Sequence, residues 1–346
     1  MFRIKKQILI MLLTGAFLTA CGQNEVPVET GVAEQEDKLL IGMCFDSFVI
    51  ERWQRDRDIF VQAAKELGAE VNVQNANGDV EKQKEQIDYL VKKGVDVLVI
   101  VCIDSDALTE SVAAAKNAGV EVIAYDRLIN NADIDLYISF DNEMVGTLMA
   151  QSLIDEGLSG GKVIMIGGST ADNNVSLVED AFEKVMDEND VEILDRTHCD
   201  GWRAELASEY IYEHRELVSE CDAIMCGNDN VASQVASSLA VQRLAGKIMV
   251  TGQDADLEAC QRIVEGTQIM TVYKPVDSLA RRAAECAVAL AQEGEIQGED
   301  VGEIDNGEKE IPFVRLEPVK VTIDNMDEVI IDSGFHSKEE VYLNVK

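Results

Sequence analysis

The chain has 346 residues, with 65 acidic side chains against 30 basic ones and a formal net charge of −35. That excess keeps an exported protein soluble and disfavours nucleic acid and anionic lipid head groups as partners. A chain of this length can bury two separate cores, so two domains are expected.

The first residues carry Arg3, Lys5 and Lys6, followed by an uncharged apolar stretch from Gln7 to Phe17 and then Leu18-Thr19-Ala20-Cys21-Gly22. That order is the layout of a bacterial secretion signal. The apolar run is shorter than the roughly 20 residues a permanent span needs. Residues 1–20 are therefore expected to be removed. Leu-Thr-Ala-Cys resembles the lipobox of bacterial lipoproteins, in which the cysteine is acylated with diacylglycerol and becomes the first mature residue. Lipidation of Cys21 would give two acyl chains, enough for a stable anchor. The alternative is an ordinary signal peptide that happens to carry a cysteine. Residues 21–37 are acidic and polar, include Pro27 and lack apolar periodicity, which predicts a flexible tether of roughly 20 Å reach.

From Lys38 onward, apolar strand-like runs alternate with longer amphipathic stretches. Strands are expected at 39–45, 71–74, 95–101, 120–125, 136–140, 162–166, 191–194, 223–225, 248–251 and 269–272. Helices are expected between them at 50–67, 80–93, 107–118, 142–156, 174–187, 203–218, 231–244 and 276–292. Gly68, Gly94 and Gly119 stand where left-handed helix caps are wanted. Strands apolar on both faces and separated by helices imply parallel sheets covered on each side. About ten such units would make one sheet unusually wide, so the α/β fold is expected to comprise two doubly wound parallel-sheet domains. Ligands bind such sheets beyond the carboxyl ends of the strands.

Enzyme signatures are missing. The sequence contains no phosphate-binding Gly-x-x-x-x-Gly-Lys-Ser/Thr, no dinucleotide fingerprint, no His-Glu-x-x-His and no Gly-x-Ser-x-Gly. Only His198, His214 and His336 are present, none placed by sequence beside an evident nucleophile. A carboxylate-only enzyme remains the catalytic alternative. Beyond Cys21 lie Cys44, Cys102, Cys199, Cys221, Cys226, Cys260 and Cys286. An odd number cannot all pair, and most sit in apolar segments as small buried hydrophobes do. Cys221 and Cys226 are spaced like a metal pair, but a strand-like Asp-Ala-Ile-Met separates them and no second pair is near. Neither a metal nor a cofactor is expected.

The strand ends instead offer planar hydrogen-bonding groups: Asp126 and Arg127, then Asp172, Asn173 and Asn174, then Asn228 and Asp229, then Gln253 and Asp254, and finally Lys274. Asp, Asn and Arg can each bond two neighbouring hydroxyls, as a neutral polyol in a dry pocket requires. Each alone reads equally as a turn residue or helix cap, but five such clusters recur. The two tryptophans, Trp53 and Trp202, could sandwich the C–H faces of a pyranose, or serve as core anchors.

The segments Glu51-Arg52-Trp53-Gln54-Arg55-Asp56-Arg57-Asp58, Ala124-Tyr125-Asp126-Arg127, Tyr137-Ile138-Ser139-Phe140-Asp141-Asn142, Gly252-Gln253-Asp254-Ala255-Asp256 and Thr271-Val272-Tyr273-Lys274-Pro275 closely resemble bacterial D-xylose-binding proteins. The match runs in order from about Lys38 to Thr322. It implies the type I periplasmic-binding-protein fold, with a sugar held between two domains joined by a three-crossover hinge. Carried over by position, Arg52, Trp53, Asp126 and Arg127 would approach from the first domain. Asn173 or Asn174, Trp202, Asn228, Asp254 and Lys274 would complete the site from the second domain and the hinge. The resemblance loosens at Met43-Cys44-Phe45-Asp46-Ser47, which leaves Asp46 as a further candidate contact. The tail Val329-Ile330-Ile331-Asp332-Ser333-Gly334-Phe335 is similar to relatives that bind several aldoses, glucose included.

The resemblance implies domains at 38–140 with 275–315 and at 141–274 with 316–346, and a non-enzymatic monomer that delivers D-xylose or a similar aldose to the permease of an ABC importer. It would be lipid-anchored on the extracytoplasmic face of the cell membrane. The rival readings are a sugar-sensing receptor for a membrane sensor kinase and a binder of another monosaccharide such as glucose or arabinose. A repressor would need a basic helix-turn-helix where this chain carries a lipobox.

Overall fold

The computed structural model describes residues 38–296, 298 and 300–345. The expected signal segment, Cys21 and the tether lie outside the described residues. The chain runs β1 (Leu40–Phe45), α1 (Arg52–Glu66), β2 (Glu70–Asn75), α2 (Val80–Lys93), β3 (Val97–Ile100), α3 (Thr109–Asn117), β4 (Glu121–Tyr125) and β5 (Leu136–Phe140). It continues through α4 (Asn142–Asp155), β6 (Lys162–Gly167), α5 (Asn173–Glu188), β7 (Glu192–His198), α6 (Glu205–Glu213), α7 (Arg215–Val218), β8 (Ala223–Cys226), α8 (Asp229–Val241), β9 (Met249–Gln253), α9 (Leu257–Glu265) and β10 (Met270–Tyr273). Last come α10 (Val276–Glu293), β11 (Val301–Asp305), β12 (Glu310–Leu316), β13 (Val319–Val321) and α11 (Lys338–Val341).

The strands form two sheets, ordered β11-β12-β5-β4-β3-β1-β2 and β13-β10-β9-β8-β6-β7. All neighbouring pairs are parallel except β11 with β12 and β10 with β13. The fold is two doubly wound α/β domains, because strands such as Val97–Ile100 and Ala223–Cys226 are buried along their whole length and need cover on both faces. In the first domain α1 and α10 cover one face, burying Phe60, Ala64, Leu279 and Ala283 against β1 and β3–β5. In the second, α4 and α5 pack on one face of the sheet and α6 and α8 on the other. The chain passes between the sheets three times, after β5, after β10 and between β12 and β13.

All ten expected strands are present. The three strands after α10 were not among them, for a physical reason. β11 (Val-Gly-Glu-Ile-Asp) is partly exposed along its length, β13 spans three residues, and β12 carries Pro312 beside its antiparallel edge partner. None has the apolar run of a buried strand. The helix expected at 203–218 is two, α6 and α7, broken at His214 (φ −108°, ψ 29°). Gly94 caps α2 at φ 78° as expected, a conformation that costs glycine nothing.

Packing of α4 on α5 is close enough to demand a glycine. A Cβ at Gly146 would stand 2.0 Å from the Val178 carbonyl oxygen. Gly146→Ala gains up to about 1 kcal/mol of helix propensity, but overpacking of this kind costs about 1–3 kcal/mol. The variant should therefore unfold at lower urea than the parent. An unchanged or higher midpoint would mean that α5 gives way at no cost.

Candidate binding site

The carboxyl ends of the two sheets face one another across a narrow cavity that leaves about 30 Å³ of space open to water-sized molecules. Arg52 and Trp53 reach it from the first turn of α1, and Asp126 and Arg127 from the end of β4. The second domain contributes Asn174 from α5, Trp202 from a single helical turn after β7, Asn228 after β8, Asp254 after β9 and Lys274 after β10.

Asp126 and Asp254 hold left-handed backbone, φ 64° and φ 98°, which is unfavourable for residues with a side chain. In each case the backbone N–H is tied to the neighbouring strand, Asp126 to the Ile138 carbonyl and Asp254 to the Val272 carbonyl, both at 2.8 Å. The Asp126 carbonyl also accepts from Ser139 Oγ (2.6 Å), Asn174 Nδ2 (2.9 Å) and Tyr137 Oη (3.1 Å). Three donors on one carbonyl over-determine the strained turn. Its consequence is that the carboxylate is delivered to the cavity. Gly168 has a related purpose, since a Cβ there would lie 2.2 Å from Trp202 Cη2. Asn228 caps α8 by accepting from the Val231 N–H at 3.0 Å, which leaves its amide nitrogen as the group it can offer.

The charges are buried and compensated. Arg52 pairs with Asp126 (Nη2–Oδ2, 2.8 Å) and with Asp56 (Nη2–Oδ1, 3.1 Å), and lies 3.8 Å from Asp254. Lys274 is 3.3 Å from Asp254. Arg127 pairs with Asp46 (2.9 Å) and Asp172 (2.8 Å). Burial pushes the Asp126 carboxyl up, but Arg52, Lys274 and Arg127 outweigh it and hold it below its ordinary 3.8. Burial also lifts the Asp56 and Asp172 carboxyls, and there it prevails over the arginines.

Of the residues singled out in the sequence, Arg52, Trp53, Asp126, Arg127, Asp172, Asn174, Trp202, Asn228, Gln253, Asp254 and Lys274 line the cavity, whereas Asp229 lies outside it. Asn173 and Asp46 do not line it either. Asn173 precedes Asn174 by about 100° of helix rotation and gives its backbone N–H to Ser105 Oγ at 3.1 Å. Asp46 stands behind Arg127 and bonds its guanidinium. Asn142 and Glu179 also reach the wall, and neither was a candidate. Asn142 opens α4 and looks like a helix-start residue. Glu179 lies mid-helix, where nothing in the sequence separates it from its exposed neighbours. Both indole N–H groups, Arg127 Nη2 and Gln253 Oε1 are buried without a protein hydrogen-bond partner. Those three donors and one acceptor suit a ligand that both accepts and donates.

Residues 41–296 match the family described as periplasmic binding protein domain. The chain is 42% identical over 338 residues to the D-xylose-binding periplasmic protein of Haemophilus influenzae, covering 96% of this chain and 100% of that one. To the protein of the same description from Escherichia coli it is 41% identical over 342 residues, covering 97% and 99%. A carbohydrate transporter solute binding protein from Chloroflexus aurantiacus, solved in complex with D-glucose, superposes with a TM-score of 0.80 at 30% identity, covering 87% of this chain and 98% of that one. The chain belongs to the periplasmic binding protein domain family.

In this periplasmic binding protein domain Asp126, Asp172 and Asp254 are engaged by arginine or lysine, Glu179 meets His198, and the described thiols are buried inside the domains. Among the described residues no group of three or more His, Cys, Asp or Glu side chains could hold a metal ion. What the cavity can do is hold hydroxyl groups by fixed donors and acceptors while excluding water.

The depressed Asp126 carboxyl has a consequence for stability. Its folded value lies below the unfolded value near 3.9, so its contribution is present above that pH and is lost as pH falls through the folded value. The stability difference between the parent and Asp126→Asn should be constant from pH 7 to about pH 5 and shrink toward pH 3. Parallel curves across that acid range, from urea titrations at each pH, would contradict the ion pairing.

Proposed function

We propose that this protein captures a neutral aldose, D-xylose first, outside the cytoplasm and presents it to the permease of an ABC importer. The observation that carries the reading is the pair of tryptophans at one dry cavity with planar Asp, Asn and Arg groups. Two relatives described as D-xylose-binding, aligned along nearly the whole chain, support the sugar. Trp53 and Trp202 would cover the C–H faces of the ring, while Arg52, Asp126, Arg127, Asn174, Asn228, Asp254 and Lys274 would bond its hydroxyls. Because each buried cation is already paired with carboxylates, an anionic ligand would find no free counter-charge, whereas a polyol needs none. The three passages between the sheets support a hinge dividing domains at 38–140 with 275–315 and 141–274 with 316–346. Closure of that hinge would trap the sugar, and the closed form would be the one the permease recognises.

Calorimetry over D-xylose, D-glucose, L-arabinose and myo-inositol tests the reading. Saturable D-xylose binding in the micromolar range or tighter, about −8 kcal/mol or beyond, is expected. Trp202→Ala should lose one stacking face at about 1–3 kcal/mol, with the sugar-free melting temperature unchanged. No saturable heat with D-xylose in a folded protein would overturn the D-xylose reading. An affinity kept by Trp202→Ala together with a collapsed melting temperature would make that ring a core anchor instead.

The anchor is a separate part of the proposal and rests on the Leu-Thr-Ala-Cys21 signature. Among the described residues no helix is long and apolar enough to cross a membrane. Cys21→Ser should move the protein from the membrane fraction to the soluble one. Retention after high-salt and carbonate washing would contradict lipidation.

A further inference from the structure

The segment Ala171-Asp172-Asn173-Asn174, where α5 begins in the second domain, is engaged with the first domain at every residue. The Ala171 carbonyl accepts from the Ser105 N–H at 2.9 Å. Asp172 Oδ2 ion-pairs with Arg127 Nε at 2.8 Å. The Asn173 N–H donates to Ser105 Oγ at 3.1 Å. Asn174 Nδ2 donates to the Asp126 carbonyl at 2.9 Å, and Asn174 Oδ1 accepts from Tyr137 Oη at 3.2 Å. Backbone, charge and side-chain amide thus dock together.

Arg127 is the residue through which these contacts reach the cavity. Its Nη1 donates to Asp46 (2.9 Å) and to the Cys102 carbonyl (3.0 Å), both in the first domain. Its Nε faces Asp172 of the second, in an ion pair rather than a well-aligned hydrogen bond. Nη2 is left buried at the cavity without a protein partner. Two carboxylates on different edges fix the rotation of a planar guanidinium as one cannot. Asp172 is itself held, because its Oδ1 accepts the Asn174 N–H at 3.0 Å as the cap of α5. It cannot swing away from Arg127 without uncapping the helix.

We propose that Asp172 is a positioning residue of the closed cleft, which turns Arg127 so that Nη2 faces the bound sugar only when residues 171–174 have docked on the first domain. Asp172 also lines the cavity, and the Arg127→Lys background below separates its action through Arg127 from a direct contact. The inference rests on the sugar-binding reading and deepens it, by naming a device that makes closure and the ligand contact one event. A pair formed after encounter slows release rather than speeding capture, since interface changes act mostly on dissociation.

Stopped-flow tryptophan fluorescence with D-xylose tests this on the full mature protein. Asp172→Asn and Asp172→Ser both keep a capping oxygen and remove the charge. Each should raise the dissociation rate about 10- to 100-fold, the order expected for losing one partner of a buried charge pair. Association should stay within about threefold, and the sugar-free melting temperature should be unchanged. In an Arg127→Lys background, which cannot present the same planar fork, Asp172→Asn should add much less. If the residue only caps α5, both variants will keep parental kinetics, which overturns the inference and leaves the sugar reading intact. A slower association with unchanged release also overturns it. If the parent binds no aldose, the sugar reading fails and this role fails with it.

Discussion

Two buried guanidiniums govern this cleft. Removing Arg52 and Arg127 from water is costly unless each meets carboxylates at short range, and the structure meets that demand from two sides. Asp56 and Asp126 for Arg52, and Asp46 for Arg127, belong to the same domain as their arginines. Asp254 and Asp172 belong to the other. The first domain therefore carries a partly assembled site, and the second completes the compensation when the two meet. Three cations, Arg52, Arg127 and Lys274, thus face five carboxylates, so each buried cation is already paired and selectivity has to come from the direction of hydrogen bonds.

Direction is set by backbone geometry at the strand ends. Asp126 and Asp254 occupy corresponding places after β4 and β9, both left-handed and both tied by their N–H to the adjacent strand. Cores beneath them resist adjustment: Tyr125, just before Asp126, gives its hydroxyl to Asp56 at 2.5 Å, linking the turn to the same carboxylate that holds Arg52. A shift of any one of these groups would move the others.

The sheets were legible because their central strands are apolar on both faces, and the site because polar residues recur where such strands end. The two tryptophans stood out as flat apolar rings, and the resemblance then pointed to Arg52, which no strand end would have marked. β11 to β13 were not legible, being short or partly exposed, and interrupted in β12 by Pro312. Asn173 and Asn174 could not be told apart, since which of two adjacent helical residues faces a cleft depends on how the domains dock. Glu179 was invisible for the same reason. Its carboxylate meets His198 Nε2 at 3.1 Å, and a Cβ on Gly167 would fall 2.0 Å from its Oε1. Only the packing of α5 against the end of β6 brings it to the wall.

The tryptophans complete the physical argument for a neutral ring ligand. Trp53 is almost wholly buried, with the Arg52 and Arg127 guanidiniums 4.5 and 5.5 Å from its ring centroid and Phe45 beyond. It is thus both part of the first domain's core and a support that orients two cations. Trp202 is held differently, on a turn with φ 58° over the bare backbone of Gly168, and Arg127 lies 6.0 Å from its centroid. Arg127 therefore stands between a ring fixed in one domain and a ring presented by the other. A ligand that slots beside Arg127 must meet a flat apolar face and a hydrogen-bonding edge at once, and a pyranose offers both surfaces without bringing a negative charge to a cleft whose cations are already paired.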